Sequence, residues 1–214
     1  MKSDRHNLTA DLGLLALRLT TGGLIAGHGA QKLFGSFGGH GLTGTAGFLE
    51  SIGLKPGKQW AALAGASEFG SGLLTALGLF SPLGPIAMYG PMVMASVTAH
   101  AGKPIWVTSG GAELPVAYMT NAAALALMGP GRLSLDQALG IKLPRAVVAL
   151  AAAGVAAGLA IGIFTRDQLT ESQQAASEQS ETPASLSSIG QPTQAPGQPA
   201  EPLKSREVGN DAFE

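Results

Sequence analysis

Residues 12–32 read LGLLALRLTTGGLIAGHGAQK, and the way the chain houses this stretch decides its fold. About twenty mostly apolar residues at helical rise cover roughly 30 Å, the thickness of a bilayer's hydrocarbon. Arg18 nevertheless sits well inside the run, with His28 and Lys32 near its far end. A charge near the bilayer centre costs about 2.5–3.5 kcal/mol on insertion scales. A helix that accepts Arg18 must therefore turn it toward other helices, and the remaining sequence has to supply them. Lys2 and Arg5 precede the run as they would in a signal peptide. The run, however, exceeds an h-region of about 7–15 residues, so it reads as a retained span.

Composition agrees with a membrane protein. Of 214 residues, 45% are hydrophobic and 13% charged, with 31 glycines and a mean hydropathy of +0.25. Soluble domains are about a quarter charged. The net charge of −1 hides an asymmetry. Residues 1–166 carry 11 basic and 6 acidic side chains, whereas residues 167–214 carry 2 basic and 8 acidic ones. Cysteine is absent, so thiolate chemistry, disulfide exchange and Cys-held metal or Fe–S centres are excluded for this chain alone.

Working outward, Gly and Pro punctuation marks further apolar runs. The expected fold is an all-α membrane protein: a four-transmembrane-helix bundle plus a fifth, C-terminal transmembrane helix. Residues 1–11 form a polar N-terminus and residues 12–139 the bundle, with spans at about 12–32, 59–80, 83–102 and 111–128. Pro91 should kink the third span. Short interfacial helices are expected at 45–52, capped by Thr45, and at 134–139, capped by Ser134 with Gln137 in a capping box. The added helix covers 145–164 and carries Gly154, Gly158 and Gly162 at every fourth position, a stripe suited to docking on the bundle or on another copy. Residues 167–214, rich in Ser, Gln, Pro and Glu, are expected to be disordered.

Residues 39–44 match G-x-G-x-x-G, but no βαβ unit frames them, so they read as a loop folding back on the bundle rather than a nucleotide site. The informative pattern comes from antiparallel topology. It brings His28, Lys32, Trp60, His100 and Glu113 toward one membrane face, with Glu68 and then Arg18 deeper. The expected intramembrane polar cluster is Arg18, His28, Gln31, Lys32, Glu68, His100 and Glu113. Such a cluster is either a set of ion pairs fixing helix register or a polar cavity for a small molecule or protons. Histidines at an interface rarely ligate, so neither haem between His28 and His100 nor any other metal is expected. Trp60 and Trp106 read as interface anchors, and Arg132 as a snorkelling cation at a helix end.

Several segments, in order, resemble the DoxX family of bacterial membrane proteins. They are Leu17-Arg18-Leu19, residues 28–35 (HGAQKLFG), residues 37–39 and 44–46, Leu63-Ala64-Gly65 with Glu68-Phe69, and residues 77–79. Residues 110–113 (GGAE), residues 129–132 (GPGR) and residues 134–136 (SLD) continue the pattern. The resemblance implies a four-helix membrane bundle, and members are linked to thiosulfate:quinone oxidoreduction and to oxidoreductase complexes handling thiol stress. It fixes no cofactor but admits a quinone, and it places Arg18, His28, Gln31, Lys32, Glu68, Glu113 and Arg132 at family motif positions, with no catalytic role attached to any of them. The fifth helix and the tail lie outside the usual family core.

The functional expectation is a redox-linked, quinone-associated subunit of the bacterial inner membrane, multi-pass, with a polar cleft near one face. Arg18, His28 and Lys32 would donate hydrogen bonds, while Glu68 and Glu113 would relay protons. Its partners would be the lipid bilayer and other membrane or redox subunits, without nucleic acid or nucleotide. Two alternatives stay open: a non-catalytic assembly subunit, and a small-solute or proton conduit. Flanking basic residues tie at five on each side, so orientation is not read from them.

Overall fold

The computed structural model describes residues 2–180. It divides into a compact unit of residues 1–175 and a second unit, 176–214, of which only the end of the last helix is described. Among the described residues the structure is all-helical, without strands. The helices are α1 (Lys2–Phe34), α2 (Gly41–Ser51), α3 (Gly57–Leu77), α4 (Leu83–Val97), α5 (Glu113–Met128), α6 (Leu135–Leu139) and α7 (Arg145–Ser180). Short 3-10 turns cover Ser36–Gly38 and Val107–Ser109.

The first unit is built on an antiparallel seam between α1 and α3, made of small residues. A β-carbon at Gly22 would come within 2.5 Å of the Ala76 backbone nitrogen, and one at Gly72 within 2.6 Å of the Gly22 carbonyl. Gly29 lies equally close to the backbone of Phe69. In lipid, helices associate through such close backbone approach, because the apolar surroundings give little drive to bury side chains. α4 packs on α3 and α5 on α4, closing a core of Ile25, Met88, Met92 and Ala122 flanked by Tyr89, Tyr118 and Met119. Two polar ties cross this core: Asn121 Nδ2 donates to Thr21 Oγ1 (3.3 Å), and Tyr89 OH donates to the Met119 carbonyl (2.9 Å).

Several boundaries differ from the sequence reading for local reasons. α1 begins at Lys2, so the polar residues before Leu12 continue its helix. α2 starts at Gly41 after His40, which puts Thr45 inside the helix and buried rather than at its cap. α4 ends at Val97, where the Thr98 and Ser96 hydroxyls donate to the Met94 and Met92 carbonyls and compete with the ladder. α6, by contrast, is capped as expected by Ser134, whose Oγ accepts from the Gln137 N–H (3.3 Å). α7 runs on through Ser180, correcting the disorder expected from residue 167; the rest of that expectation, 181–214, lies outside the described residues.

Among the described residues, two stretches are long and apolar enough to cross a membrane, Leu8–Phe34 and Arg145–Arg166, and Leu83–Val97 is a shorter apolar helix. α3 and α5 do not meet that length and composition.

Candidate functional site

Along the α1–α3 seam, each step toward the end of α1 is a step back along α3. Gly22 faces Ala76, Ala26 faces Gly72, Gly29 faces Phe69 and Leu33 faces Gly65. This register carries Lys32 to Glu68. Lys32 Nζ and Glu68 Oε2 are 2.5 Å apart, with the Glu68 side chain 4% exposed and that of Lys32 30%. A carboxylate this buried is stable only with a donor against it, and Lys32 is that donor. One turn back on α1, His28 Nδ1 lies 3.2 Å from Gln31 Oε1, and its ring meets Tyr118 edge-on at 6.2 Å. The glycine-rich loop after α1 folds over this end, and a β-carbon at Gly39 would sit 2.6 Å from the Cα of Gln31.

The Lys32–Glu68 pair forms part of the wall of a cavity of about 460 Å³ between α2, α3, α4 and α7. Thr45 and Ser67 add hydroxyls, and Trp60, Leu63, Met94 and Leu159 are among the apolar lining. Its size falls within the range of about 300–1,000 Å³ typical of small-molecule sites. An apolar chamber with one compensated charge pair can take a hydrophobic molecule and give its polar end a donor and an acceptor.

Arg18 is elsewhere, contrary to the ladder expected from its azimuth. The same register sets it opposite Gly78 at the C-terminus of α3, fourteen residues and about 21 Å along α1 from Lys32. There Arg18, 3% exposed, donates through Nη2 to the Leu133 carbonyl (2.5 Å). Asp136 organises this end. Its two carboxylate oxygens accept from Phe80 N (2.8 Å) and Ser81 N (2.7 Å), and its own N–H donates to the Gly78 carbonyl (3.1 Å). Asp11 accepts from the Arg132 N–H (2.9 Å) with Arg132 Nε 3.9 Å away, so Arg132 meets a carboxylate of α1. Sequence reasoning left Asp11 and Asp136 out of the cluster; an acidic residue in the first turn after the Ser134 cap was the available signal for the latter.

His100 and Glu113 fasten the exposed loop between α4 and α5. His100 Nδ1 lies 2.6 Å from the Gly110 carbonyl, and Glu113 Oε2 accepts from Val107 N (2.8 Å). The expected cluster is thus three groups: Lys32 and Glu68 on the wall of the large cavity, with His28 and Gln31 at the same end of α1; Arg18 at the opposite end of the seam; His100 and Glu113 in a loop. Among the described residues, no three His, Asp or Glu side chains gather as a metal site would require.

No curated protein and no solved structure matches the chain. A family model described as DoxX matches residues 13–101, from the apolar start of α1 through the turn after α4. That stretch contains the α1–α3 seam, Lys32 and Glu68, while Glu113, Asp136 and α7 lie beyond it; over it the chain is similar to the DoxX family.

Proposed function

We propose that the chain is a multi-pass protein of the bacterial inner membrane in which α1, α3, α4 and α5 form a four-helix bundle and α7 a fifth span. In this reading the large cavity binds a quinone or a molecule of like chemistry, as a subunit linked to a redox partner. The observation that carries it is the Lys32–Glu68 pair, its carboxylate buried, on the wall of a mostly apolar chamber. Lys32 Nζ would donate to a carbonyl oxygen, and Glu68 would hold or release the accompanying proton; electrons would come from the partner subunit. Leu19, Leu24, Leu127, Leu150 and Phe164 are exposed, as acyl chains would require. Arg18 and Asp136 serve the fold at the far end, and His100 and Glu113 serve the loop.

Trp60 lines the cavity and supplies the assay. In a Trp106→Phe background, adding a benzoquinone with a decyl tail should quench Trp60, and Glu68→Gln and Lys32→Met should each weaken the binding about tenfold or more, the equivalent of one lost charge-assisted hydrogen bond. Unquenched fluorescence of the otherwise intact protein across the titration overturns the reading. The assembly-subunit alternative draws on α7, whose Leu150, Ile161 and Phe164 are exposed. Stable co-purification with a larger complex, without quinone binding, would favour it.

A further inference from the structure

The glycine stripe of α7 is not used uniformly. At Gly162 a β-carbon would lie 3.2 Å from both Met94 Sδ and Trp60 Cη2, so there α7 is packed against α4 and the start of α3. Close by, Arg166 Nη1 donates to the Val97 carbonyl (2.6 Å). At Gly154 and Gly158 a β-carbon would meet nothing within 4 Å, yet both residues line the large cavity with Ala151, Val155 and Leu159. Close packing therefore explains one glycine of the three. The other two leave open volume along about 12 Å of helix between Gly154 and Gly162.

Of the residues lining the cavity, Lys32 and Glu68 alone are charged, and they neutralise each other. A charged head would bring an uncompensated charge into an apolar wall and pay its desolvation, whereas a neutral head with hydrogen-bonding atoms would not. Nothing polar lines the cavity on the α7 side.

We propose that the open face of α7 at Gly154 and Gly158 is a tail channel, and that the cavity takes a neutral, single-tailed amphiphile with its head at Lys32 and Glu68 and its chain along α7. This rests on the binding reading above and adds to it the class of ligand and two residues that determine specificity. α7 lies outside the stretch matched by the family model, so the channel is a feature of this chain's own extension.

The test compares two probes on the full-length protein by equilibrium dialysis: a benzoquinone with a decyl tail and the same benzoquinone with a methyl group in its place. Gly158→Leu places a side chain in open space and should weaken the decyl compound about tenfold, the worth of roughly two buried methylenes, while changing the methyl compound by less than about twofold. Gly154→Leu, one turn away, should do the same, and it decides the matter if the first variant does not fold. Decyl binding at the unaltered level in both variants, or equal weakening of both probes, overturns the tail channel. Glu68→Gln should weaken both probes. If it does so while the glycine variants weaken neither, the head site stands and the tail channel falls. If the unaltered protein binds neither probe, the binding reading itself has failed.

Discussion

Gly78 shows how little latitude single positions have in this fold. It ends α3 in the left-handed region at φ 61°, and a β-carbon there would run into the Arg18 guanidinium. Two penalties should add on Gly78→Ala: about 1–2 kcal/mol for a side chain in that conformation, and the displacement of a buried cation from its carbonyl, about 1.5–3 kcal/mol for a hydrogen bond to a charged group. Chemical unfolding in detergent should show a loss of about 3 kcal/mol, shrinking toward about 1–2 kcal/mol in an Arg18→Met background where no guanidinium is left to displace. An equal loss in both backgrounds would mean that Arg18 does not lie against Gly78. At this scale the sequence was partly legible. The need for Arg18 to face protein followed from the cost of a charge in hydrocarbon, but its partner did not. Azimuth along one helix puts Arg18 and Lys32 on nearly the same face, and which of them meets Glu68 depends on the sliding register of α3, which only the glycine contacts fix.

Among elements, the α1–α3 seam does for this protein what a hydrophobic core does for a soluble one. Its backbones approach so closely at Gly22, Gly29 and Gly72 that any side chain there must push the helices apart. Gly22→Val should destabilise by about 2–4 kcal/mol, from overpacking together with the lost backbone contact. Gly13→Val, on the same helix with nothing within 4 Å of its β-position, should move the melting temperature little. A circular-dichroism melt of both variants in the same detergent checks the contrast, and similar losses from the two would show that the seam is not held by backbone contact. The seam glycines could be recognised as small residues, but their division into packed and unpacked positions could not. That division depends on which face meets a neighbour, and Gly154 and Gly158 look no different from Gly162 in a list of residues. Helix ends were likewise legible where a side chain supplies the cap, as Ser134 does for α6, and misplaced where it does not, as at Gly41.

For the whole molecule, the parity of the bilayer crossings is measurable. α1 and α7 have the length and apolar content to span unaided. α4 and α5, with 15 and 16 residues, reach only about 22–24 Å at helical rise, short of the hydrocarbon thickness of about 30 Å. Short spans are accommodated by local thinning at a modest cost per ångström, and packing against α3 and α1 relieves them of satisfying lipid on every face. α3 falls short on composition rather than length, since its 21 residues include Lys58 and Glu68, and Glu68 is turned inward to Lys32. In the five-span reading, Glu68 faces Lys32 rather than lipid, which would let α3 cross in spite of it. Five crossings put the two ends of the chain on opposite sides of the membrane, whereas crossings by α1 and α7 alone put them on the same side. The chain has no cysteine, so single cysteines at Ser3 and Ser188 can be labelled in intact cells with a membrane-impermeant maleimide without background. Five spans predict that one of the two variants is labelled and the other only after lysis. Matching behaviour of the two would mean an even number of crossings and overturn the five-span arrangement, leaving α7 off the bilayer or one of α3, α4 and α5 outside it.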